Sequence, residues 1–264
     1  MSASPSWDPD QYRRFAAERA QPFRDLLAKF RPSRVEKLVD LGCGPGEMTA
    51  LAASHTGAAH AFGIDNSASM LLAAARYANE HVHFVEGDIS TWSSNGDIDL
   101  LISSASLHWI PDHLDVLHRW SSSLTSGGQL LVQIPANADR VAQTVASEVA
   151  SRHRYLSAFG IDGPPPDPVA LNVLSPVEYA EALFDLGFEE QSVQLRIYPH
   201  VLASTSDVVE WVKGTTLRRF AEVMGPELYG SYVEDYSREL IAAMGEREPC
   251  FFPFPRILIW ARQA

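Results

Sequence analysis

Three glycines, Gly42, Gly44 and Gly46, are spaced two residues apart in the segment from Val39 to Glu47. They follow a predicted strand and precede a predicted helix, and glycine at such a junction lets the backbone turn sharply and approach a ligand closely. Asp65 ends the next predicted strand, where a carboxylate can accept hydrogen bonds from ribose hydroxyls. An ordinary glycine-rich turn is the alternative, and the acid at Asp65 argues against it. The pattern therefore favours a nucleoside-binding site.

The charge around this turn discriminates between two nucleoside cofactors. A dinucleotide-binding turn has a third glycine three residues after the second, and it seats a pyrophosphate on the N-terminus of the helix. This chain has Glu47 at that position, and its carboxylate would repel a diphosphate. S-Adenosylmethionine has no phosphate, and its sulfonium and ammonium groups are cationic. The acidic turn thus favours S-adenosylmethionine over NAD.

The segment Asp40-Leu-Gly-Cys-Gly-Pro-Gly46 resembles the first motif of the class I S-adenosylmethionine-dependent methyltransferases, and four further elements follow in that family's order. The resemblance implies that Asp65 holds the ribose and that Met70 lies against the adenine. It also implies that Asp88 and its neighbour recognise the adenine amino group, although Asp88 could instead be only a turn acid after a strand. The residues with implied cofactor contacts are Asp40, Gly42, Gly44, Gly46, Asp65, Asn66, Met70, Asp88, Ile89 and Ala105.

The N-terminal segment offers two more candidates for the cofactor. Tyr12 and Arg19 are seven residues apart, so two turns of a helix place them on one face. The resemblance implies that this helix covers the cofactor. Arg19 could bind the carboxylate of the cofactor or that of the substrate, and we assign it, with Tyr12, to the cofactor.

Four segments outside the glycine-rich turn, given below, resemble one branch of this family more specifically. That branch methylates trans-aconitate and similar small polycarboxylic acids. The sequence departs from that branch at His108, where the family pattern has glutamine, and in the long loop over 160–168. The segments that carry the resemblance are Trp7 to Pro22, Ser106-Leu-His-Trp-Ile-Pro-Asp112, Trp211-Val-Lys-Gly-Thr-Thr-Leu-Arg218 and Phe254-Pro-Arg256.

A small polycarboxylate requires planar, permanently charged donors in a pocket partly closed to water, and arginine meets that requirement. Arg256 follows a proline and begins a terminal apolar strand, so it is expected at a sheet end; a surface cap is the alternative. Arg218 ends a predicted helix-turn segment and is the second candidate ligand; a charge that stabilises a helix C-terminus is the alternative. Trp109, Trp211 and Tyr236 are candidate substrate contacts, each with a core role as the alternative.

A carboxylate acceptor needs no catalytic base, because its pKa near 4 leaves it ionised at neutral pH. The enzyme's task is then to position the acceptor, by Trp109 and His108, and to exclude water. An alternative hypothesis is that the methyl acceptor is a phenol or a quinone, and such an acceptor would require His108 as a base. A regulator that binds S-adenosylmethionine without catalysis is a rival from another class. The histidines at 108, 113 and 118 form no metal-binding pattern, so we expect no metal.

The elements that position these residues alternate between strands and helices in the first half, which predicts an α/β fold with a parallel sheet. The resemblance implies that this fold is Rossmann-like, with a mostly parallel seven-stranded sheet, helices on both faces and a helical cap. We expect an N-terminal helix over 1–30, a cofactor-binding half over 31–135, and the rest of the sheet with an inserted cap over 136–264. The predicted strands are 36–41, 60–65, 82–86, 98–103, 129–134, 191–198 and 257–261. The predicted helices are 47–54, 67–78, 113–124, 139–155, 175–187, 206–213 and 226–244.

Composition excludes several other classes. The 264 residues carry a net charge of −12, with no Lys/Arg-rich run, which argues against a nucleic-acid partner. No apolar run reaches the 18 residues of a membrane span, and the start lacks the pattern of a signal peptide. The two cysteines, Cys43 and Cys250, fit a reducing compartment. We therefore expect a cytoplasmic enzyme without membrane or nucleic-acid partners, as a monomer or weak homo-oligomer.

Overall fold

The computed structural model describes the chain from Ala16 to Ala264, with side chains described from Ala20 onward except Glu222. Tyr12 and the side chain of Arg19 thus lie outside the described residues. The chain forms two compact units. The first contains the described residues up to Pro135 together with Asn172–Arg196 and Arg256–Ala264, and the second contains Ala136–Leu171 and Ile197–Pro255.

The sheet has seven strands in the order β3-β2-β1-β4-β5-β7-β6. The first five are parallel, and β7 runs antiparallel to β5. This confirms the predicted mostly parallel, Rossmann-like α/β architecture. The strands are β1 Lys37–Leu41, β2 His60–Asp65, β3 Val82–Glu86, β4 Ile98–Ser104, β5 Leu124–Pro135, β6 Phe188–Leu202 and β7 Cys250–Gln263.

Eleven α-helices lie within the described residues, and most of them match the sequence prediction. The clearest is the helix after Ser175, where the Ser175 hydroxyl and the Glu178 carboxylate form the reciprocal hydrogen bonds of a capping box. The helices are α1 Ala16–Leu27, α2 Glu47–Thr56, α3 Ala68–Ala74, α4 His113–Ser122, α5 Val141–Ala150, α6 His153–Leu156, α7 Pro168–Asn172, α8 Pro176–Asp185, α9 Thr205–Lys213, α10 Arg218–Met224 and α11 Pro226–Met244.

Several predicted boundaries were wrong. The helix predicted over 139–155 is two helices, α5 and α6, because the backbone of Arg152 between them is extended, with ψ 142°. The helix predicted over 67–78 ends at Ala74 and continues as a 3-10 turn. Strand β7 begins seven residues before the predicted strand, because Pro253 and Pro255 obscure its start in the sequence.

One hydrophobic cluster anchors the first unit. Phe23 and Leu26 of α1 pack with Leu38, Leu131 and Trp260 of the sheet, and all five side chains are almost fully buried. Because each strand places alternate side chains on this face, the cluster fixes the register of β1, β5 and β7. The carboxyl ends of the parallel strands, where loops carry the candidate site residues, are thereby held in place.

The second unit has its own core of aromatic side chains. Tyr232 and Tyr236 of α11 are fully buried, and their hydroxyls donate to the Ala146 and Ala142 carbonyls of α5, at 2.9 and 3.0 Å. These bonds join α5 to α11 and satisfy both phenols.

No helix in the part of the chain that the structure describes is long and apolar enough to cross a membrane.

Candidate active site

The glycine-rich turn links β1 to α2, and all three glycines have a positive φ, between 54° and 81°. A Cβ on Gly42 would lie 2.2 Å from the Ser106 Cβ, and one on Gly46 would lie 2.6 Å from the Phe84 ring. A Cβ on Gly44 would meet no atom of the described residues within 4 Å. Two of the glycines therefore let the turn pack against the protein, whereas Gly44 borders open space where a ligand can lie.

The Asp65 carboxylate lies beside this open space, at the end of β2. Its Oδ2 accepts a hydrogen bond from the Gly44 N–H and its Oδ1 accepts one from the Ser67 N–H, both at 2.9 Å. Burial raises the pKa of Asp65, while these N–H donors oppose the shift. Asp65 therefore orders the turn as well as offering further lone pairs to a ligand. The sequence indicated only the second role.

Asp40 lies beneath the turn with 2% of its surface exposed. The Thr49 hydroxyl of α2 donates to its Oδ2 at 2.6 Å. Burial raises the pKa of Asp40 to about 7, with the Asp65 charge adding to the shift and the Thr49 hydrogen bond opposing it. Asp40 is thus a buried acid that ties β1 to α2, and its predicted cofactor contact stays a prediction.

Stability should therefore fall relative to an Asp40→Asn variant as the pH rises. The folded protein holds a proton on Asp40 up to about pH 7, whereas the unfolded chain releases it near pH 4. Within this window the native state binds more protons, so increasing pH favours unfolding. From pH 5.5 to 7 we expect the wild type to lose roughly 1–2 kcal/mol relative to Asp40→Asn. Urea denaturation of both proteins at several pH values measures the difference in their free energies of unfolding. A difference that does not change with pH would contradict the prediction.

The other residues implied to contact the cofactor lie around the same edge. Met70 of α3 is buried. Its N–H donates a hydrogen bond to the hydroxyl of Ser67, the N-cap residue of this helix, at 3.4 Å. Asn66 is exposed. Asp88 is exposed, and its Oδ1 accepts from the Ser90 N–H and hydroxyl at 2.8 and 2.6 Å, so it also forms a turn. Their contacts with a cofactor remain predictions.

The segment after β4 turns sharply beside the glycines. Ala105 has φ 56°, a conformation that costs a non-glycine residue energy and commonly marks a functional site. Its N–H donates to the Gln133 carbonyl at 2.9 Å. The Ser106 hydroxyl donates to the Leu41 carbonyl at 2.8 Å and lies against Gly42. These contacts hold the following 3-10 turn, Leu107–Trp109, at the carboxyl edge of the sheet.

His108 occupies this turn as a buried, neutral imidazole. It is 7% exposed, and its Nδ1 has no hydrogen-bond partner among the described residues. Burial lowers the pKa of His108 to about 3, and the charge of Arg256 adds to the effect. A buried polar atom without a partner is costly unless a ligand or water pairs with it. The adjacent Trp109 is 39% exposed, and its ring centroid lies 4.8 Å from that of His108.

The turn that carries His108 is held by side chains which the sequence analysis did not identify. The Leu107 carbonyl lies 2.9 Å from Nε2 of His113, which must therefore donate. The Tyr179 hydroxyl then donates to Nδ1 of His113 at 2.6 Å. Asn172 donates to the His108 carbonyl at 3.0 Å. His113, Tyr179 and Asn172 fix the backbone of this turn, and no local sequence pattern signals such distant partners.

Arg256 lies in β7 and pairs with Pro135, the last residue of β5. It therefore reaches the same edge of the sheet as the end of β4. Its exposed fraction is 6%, so it is not the surface cap that the sequence left open. A buried guanidinium at this edge, whose charge acts on His108, can serve a carboxylate ligand.

Three predicted substrate contacts lie in the second unit. Arg218 does not end a helix, as the sequence indicated, but begins α10, because the buried Leu217 starts a new helical turn after Gly214. Trp211 is 2% exposed and packs on Phe252 and Phe254. Tyr236 is fully buried and has a packing role. Their contacts with substrate stay predictions.

Across the described side chains, no group of three or more histidine, cysteine, aspartate or glutamate residues is placed to hold a metal ion. Cys43 and Cys250 are both buried free thiols. Burial raises the pKa of Cys43, which keeps its thiol protonated and unreactive. The site is therefore built from carboxylates, backbone N–H groups, a neutral imidazole and a guanidinium.

A glycine-rich turn after β1, an acid after β2 and a sheet of order 3-2-1-4-5-7-6 together define the Rossmann-like fold of the class I methyltransferases. A family model described as a methyltransferase domain matches residues 38–128. The solved structure of the YcgJ protein from Bacillus subtilis is similar over 92% of this chain and 98% of its own, with a TM-score of 0.59 at 16% identity. That likeness concerns the fold.

Sequence similarity to other proteins extends over almost the whole chain. A trans-aconitate 2-methyltransferase of Streptomyces avermitilis is 36% identical over 270 residues, covering 99% of this chain and 98% of the relative. A trans-aconitate 2-methyltransferase of Deinococcus radiodurans is 36% identical over 262 residues, covering 97% and 98%. This chain belongs to the trans-aconitate 2-methyltransferase family.

Proposed function

We propose that this protein transfers a methyl group from S-adenosylmethionine to a carboxylate of trans-aconitate or a similar small polycarboxylic acid. The observation that carries the proposal is the buried guanidinium of Arg256, at the sheet edge where the His108 imidazole also lies. A buried arginine with a neutral neighbour is suited to a carboxylate. The names of the relatives agree with this substrate class.

The residues around the glycine turn fit S-adenosylmethionine. Open space adjoins Gly44, and the Asp65 carboxylate beside it retains lone pairs for ribose hydroxyls. Glu47 begins α2 with an exposed side chain, where it disfavours a phosphate and favours a cationic ligand. When bound, S-adenosylmethionine supplies an activated methyl group on its sulfonium.

The chain's own contribution to the reaction is positioning. A carboxylate is ionised at neutral pH, so no residue has to remove a proton from it. Arg256 would bind the acid through parallel N–H donors, and His108 would complete its hydrogen bonding through Nδ1. Holding the acceptor in a reactive orientation can contribute roughly 7–11 kcal/mol to catalysis in favourable systems. Trp109 would shield the acceptor from water.

The environment of His108 argues against a phenol or quinone acceptor. Such a reaction would need His108 to take up a proton, yet its pKa is lowered to about 3 by burial and by the charge of Arg256. An imidazole with that pKa is a poor base towards a phenol, whose pKa is near 10. Arg256 and a buried imidazole whose Nδ1 has no partner among the described residues suit an anionic acceptor, which a regulator that binds only S-adenosylmethionine would not need.

We expect kcat to be flat between about pH 6.5 and 8.5. The acceptor carboxylate is fully ionised there, and His108 stays neutral because its pKa lies near 3. Initial rates at saturating concentrations of both substrates measure this, with thermal melts at each pH as the control for unfolding. A steep rise of kcat with an apparent pKa between 6 and 8 that persists in Asp40→Asn, where the titration of Asp40 is removed, would support a base-dependent acceptor and contradict the carboxylate proposal.

The proposal includes the setting of the reaction. Two free, buried thiols suit the reducing conditions of the cytoplasm, where we place the enzyme. Its partners would be the cofactor and the small acid, with neither nucleic acid nor membrane, and it would act as a monomer or weak homo-oligomer. The N-terminal helix covering the cofactor and the helical substrate cap inserted within 136–264, a range that also holds the rest of the sheet, are part of the same proposal.

A further inference from the structure

The face of the sheet that packs against α1 changes from apolar to polar towards the carboxyl ends of the parallel strands. Aligned residues on neighbouring strands share a face, and each strand returns to it every second residue. Ile102, Leu131 and Trp260 are aligned across β4, β5 and β7 and belong to the hydrophobic cluster under α1. Further along, the same face presents Ser104, Gln133 and Leu258, followed by the aligned pair Pro135 and Arg256.

Gln133 is the unexplained member of this polar row. It is 1% exposed. The Ser104 hydroxyl donates to its Oε1 at 3.2 Å, which directs the amide nitrogen away from Ser104. That Nε2 is buried and has no hydrogen-bond partner in the described part of the chain. Two N–H donors are thus withheld from water without compensation, and this costs stability.

Gln129, on the same strand and face, shows what a structural glutamine looks like in this sheet. Its Nε2 donates to the Arg31 carbonyl at 2.7 Å and to the Ser33 hydroxyl at 3.1 Å. Its Oε1 accepts from the Arg31 N–H at 3.0 Å and the Trp260 Nε1 at 2.8 Å. The amide of Gln129 thus makes all of its hydrogen bonds within the protein, whereas the N–H donors of Gln133 have no acceptor among the described residues.

We propose that Gln133 is a substrate-binding residue, whose amide donates to a carboxylate of the small acid next to the one held by Arg256. The inference rests on the proposed function. Gln133 is a diagonal cross-strand neighbour of Arg256 on one face, a separation of roughly 7–8 Å between backbones. A neutral donor beside a guanidinium can bind a second carboxylate of a polycarboxylic acid without another buried charge.

The Gln133 amide could instead donate a hydrogen bond to a different carboxylate, the one at the amino-acid end of the cofactor. The neighbours of Gln133 favour the acceptor acid, because Gln133 lies diagonal to Arg256, the proposed ligand of the acid, whereas the candidate ribose ligand Asp65 lies beyond β4 and β1, on β2. Separate measurements of affinity for the acid and for the cofactor distinguish the two sources.

The test is the variant Gln133→Leu, which removes the donors and keeps an apolar side chain of similar volume. We expect a roughly 10-fold rise in both KM and the dissociation constant for trans-aconitate, the latter measured by calorimetry on protein saturated with S-adenosylhomocysteine. We expect the Kd for S-adenosylhomocysteine to stay within twofold. The melting temperature without ligands should be unchanged or higher, because a buried unpaired donor has been removed. A purely structural glutamine would give the opposite pattern: a lower melting temperature and an unchanged affinity for the acid.

Two further variants complete the test. Gln133→Glu should weaken binding of the acid more than Gln133→Leu, since it sets a carboxylate against a carboxylate. Ser104→Ala, which frees the amide to rotate, should raise KM about twofold to fivefold and keeps the test open if Gln133→Leu does not fold. The inference is overturned if the wild type, Gln133→Leu and Gln133→Glu bind the acid with equal affinity. It is also overturned if these substitutions change only the affinity for the cofactor. If wild type binds the acid without methylating it and Gln133→Leu weakens that binding, the proposed function fails and the inference stands; if wild type does not bind the acid, both fail.

Discussion

Replacing Arg256 by lysine should lower kcat/KM for trans-aconitate by about 10- to 100-fold, although the charge is kept. Lysine presents a point charge on a flexible stem and cannot reproduce the two parallel N–H donors of a guanidinium. Loss of such a charge-assisted contact costs about 1.5–3 kcal/mol, which corresponds to that change in kcat/KM. The affinity for S-adenosylhomocysteine should barely change, because the described candidate cofactor residues lie on β1 and β2 or in the segments that follow β1 to β4, and none lies on β7.

The chain provides a matched control for this experiment in Arg262. It lies on the same face of β7, six residues further on, but it is partly exposed and pairs with Glu190. Arg262→Lys should leave kcat/KM within twofold. Equal and small effects of the two substitutions would mean that Arg256 does not bind the acid.

Asp65→Ala should weaken the binding of S-adenosylhomocysteine by about 10- to 100-fold. The substitution removes a carboxylate that would accept from ribose hydroxyls, and hydrogen bonds to charged groups are worth about 1.5–3 kcal/mol. It also removes the bonds from the Gly44 and Ser67 N–H groups, so the melting temperature should fall as well. Isothermal titration calorimetry below that melting temperature measures the binding loss.

Asp99 separates the binding effect of Asp65 from its effect on stability. At the opposite end of β1, the Asp99 carboxylate likewise accepts from two backbone N–H groups, those of Glu36 and Lys37, at 2.8 and 3.0 Å. Asp99→Ala should therefore lower the melting temperature in the same way and leave the dissociation constant unchanged. A similar loss of affinity in both variants would show that Asp65 acts only by stabilising the fold.

The parts of the fold that were predictable from sequence depend on local chemistry. The glycine spacing at 42, 44 and 46 reflects positive φ angles and close packing that only glycine tolerates. The capping box at Ser175 likewise depends on residues three apart. Alternation of short apolar runs and helical segments predicted the succession of strands and helices along the chain and the parallel sheet, because parallel strands need crossover helices.

The parts that were not predictable depend on partners far apart in the chain. Tyr179 reaches His113 across 66 positions, and Asn172 reaches His108 across 64. Nothing in the segment around Gln133 distinguishes its unsatisfied amide from the satisfied amide of Gln129; only the folded sheet does so. The dual role of Asp65 was missed for the same reason, since the Gly44 N–H is 21 residues away.

The most direct test of the central claim is methyl transfer itself. The purified protein is incubated with methyl-labelled S-adenosylmethionine and trans-aconitate, and the products are analysed by mass spectrometry, with a phenol and a quinone-derived acceptor in parallel. We predict a labelled monomethyl ester of the acid that is hydrolysed by mild base, and no labelled phenol or quinone product. Label on the phenol but not on the acid, or cofactor binding without transfer to any carboxylate of the acid, would contradict the account.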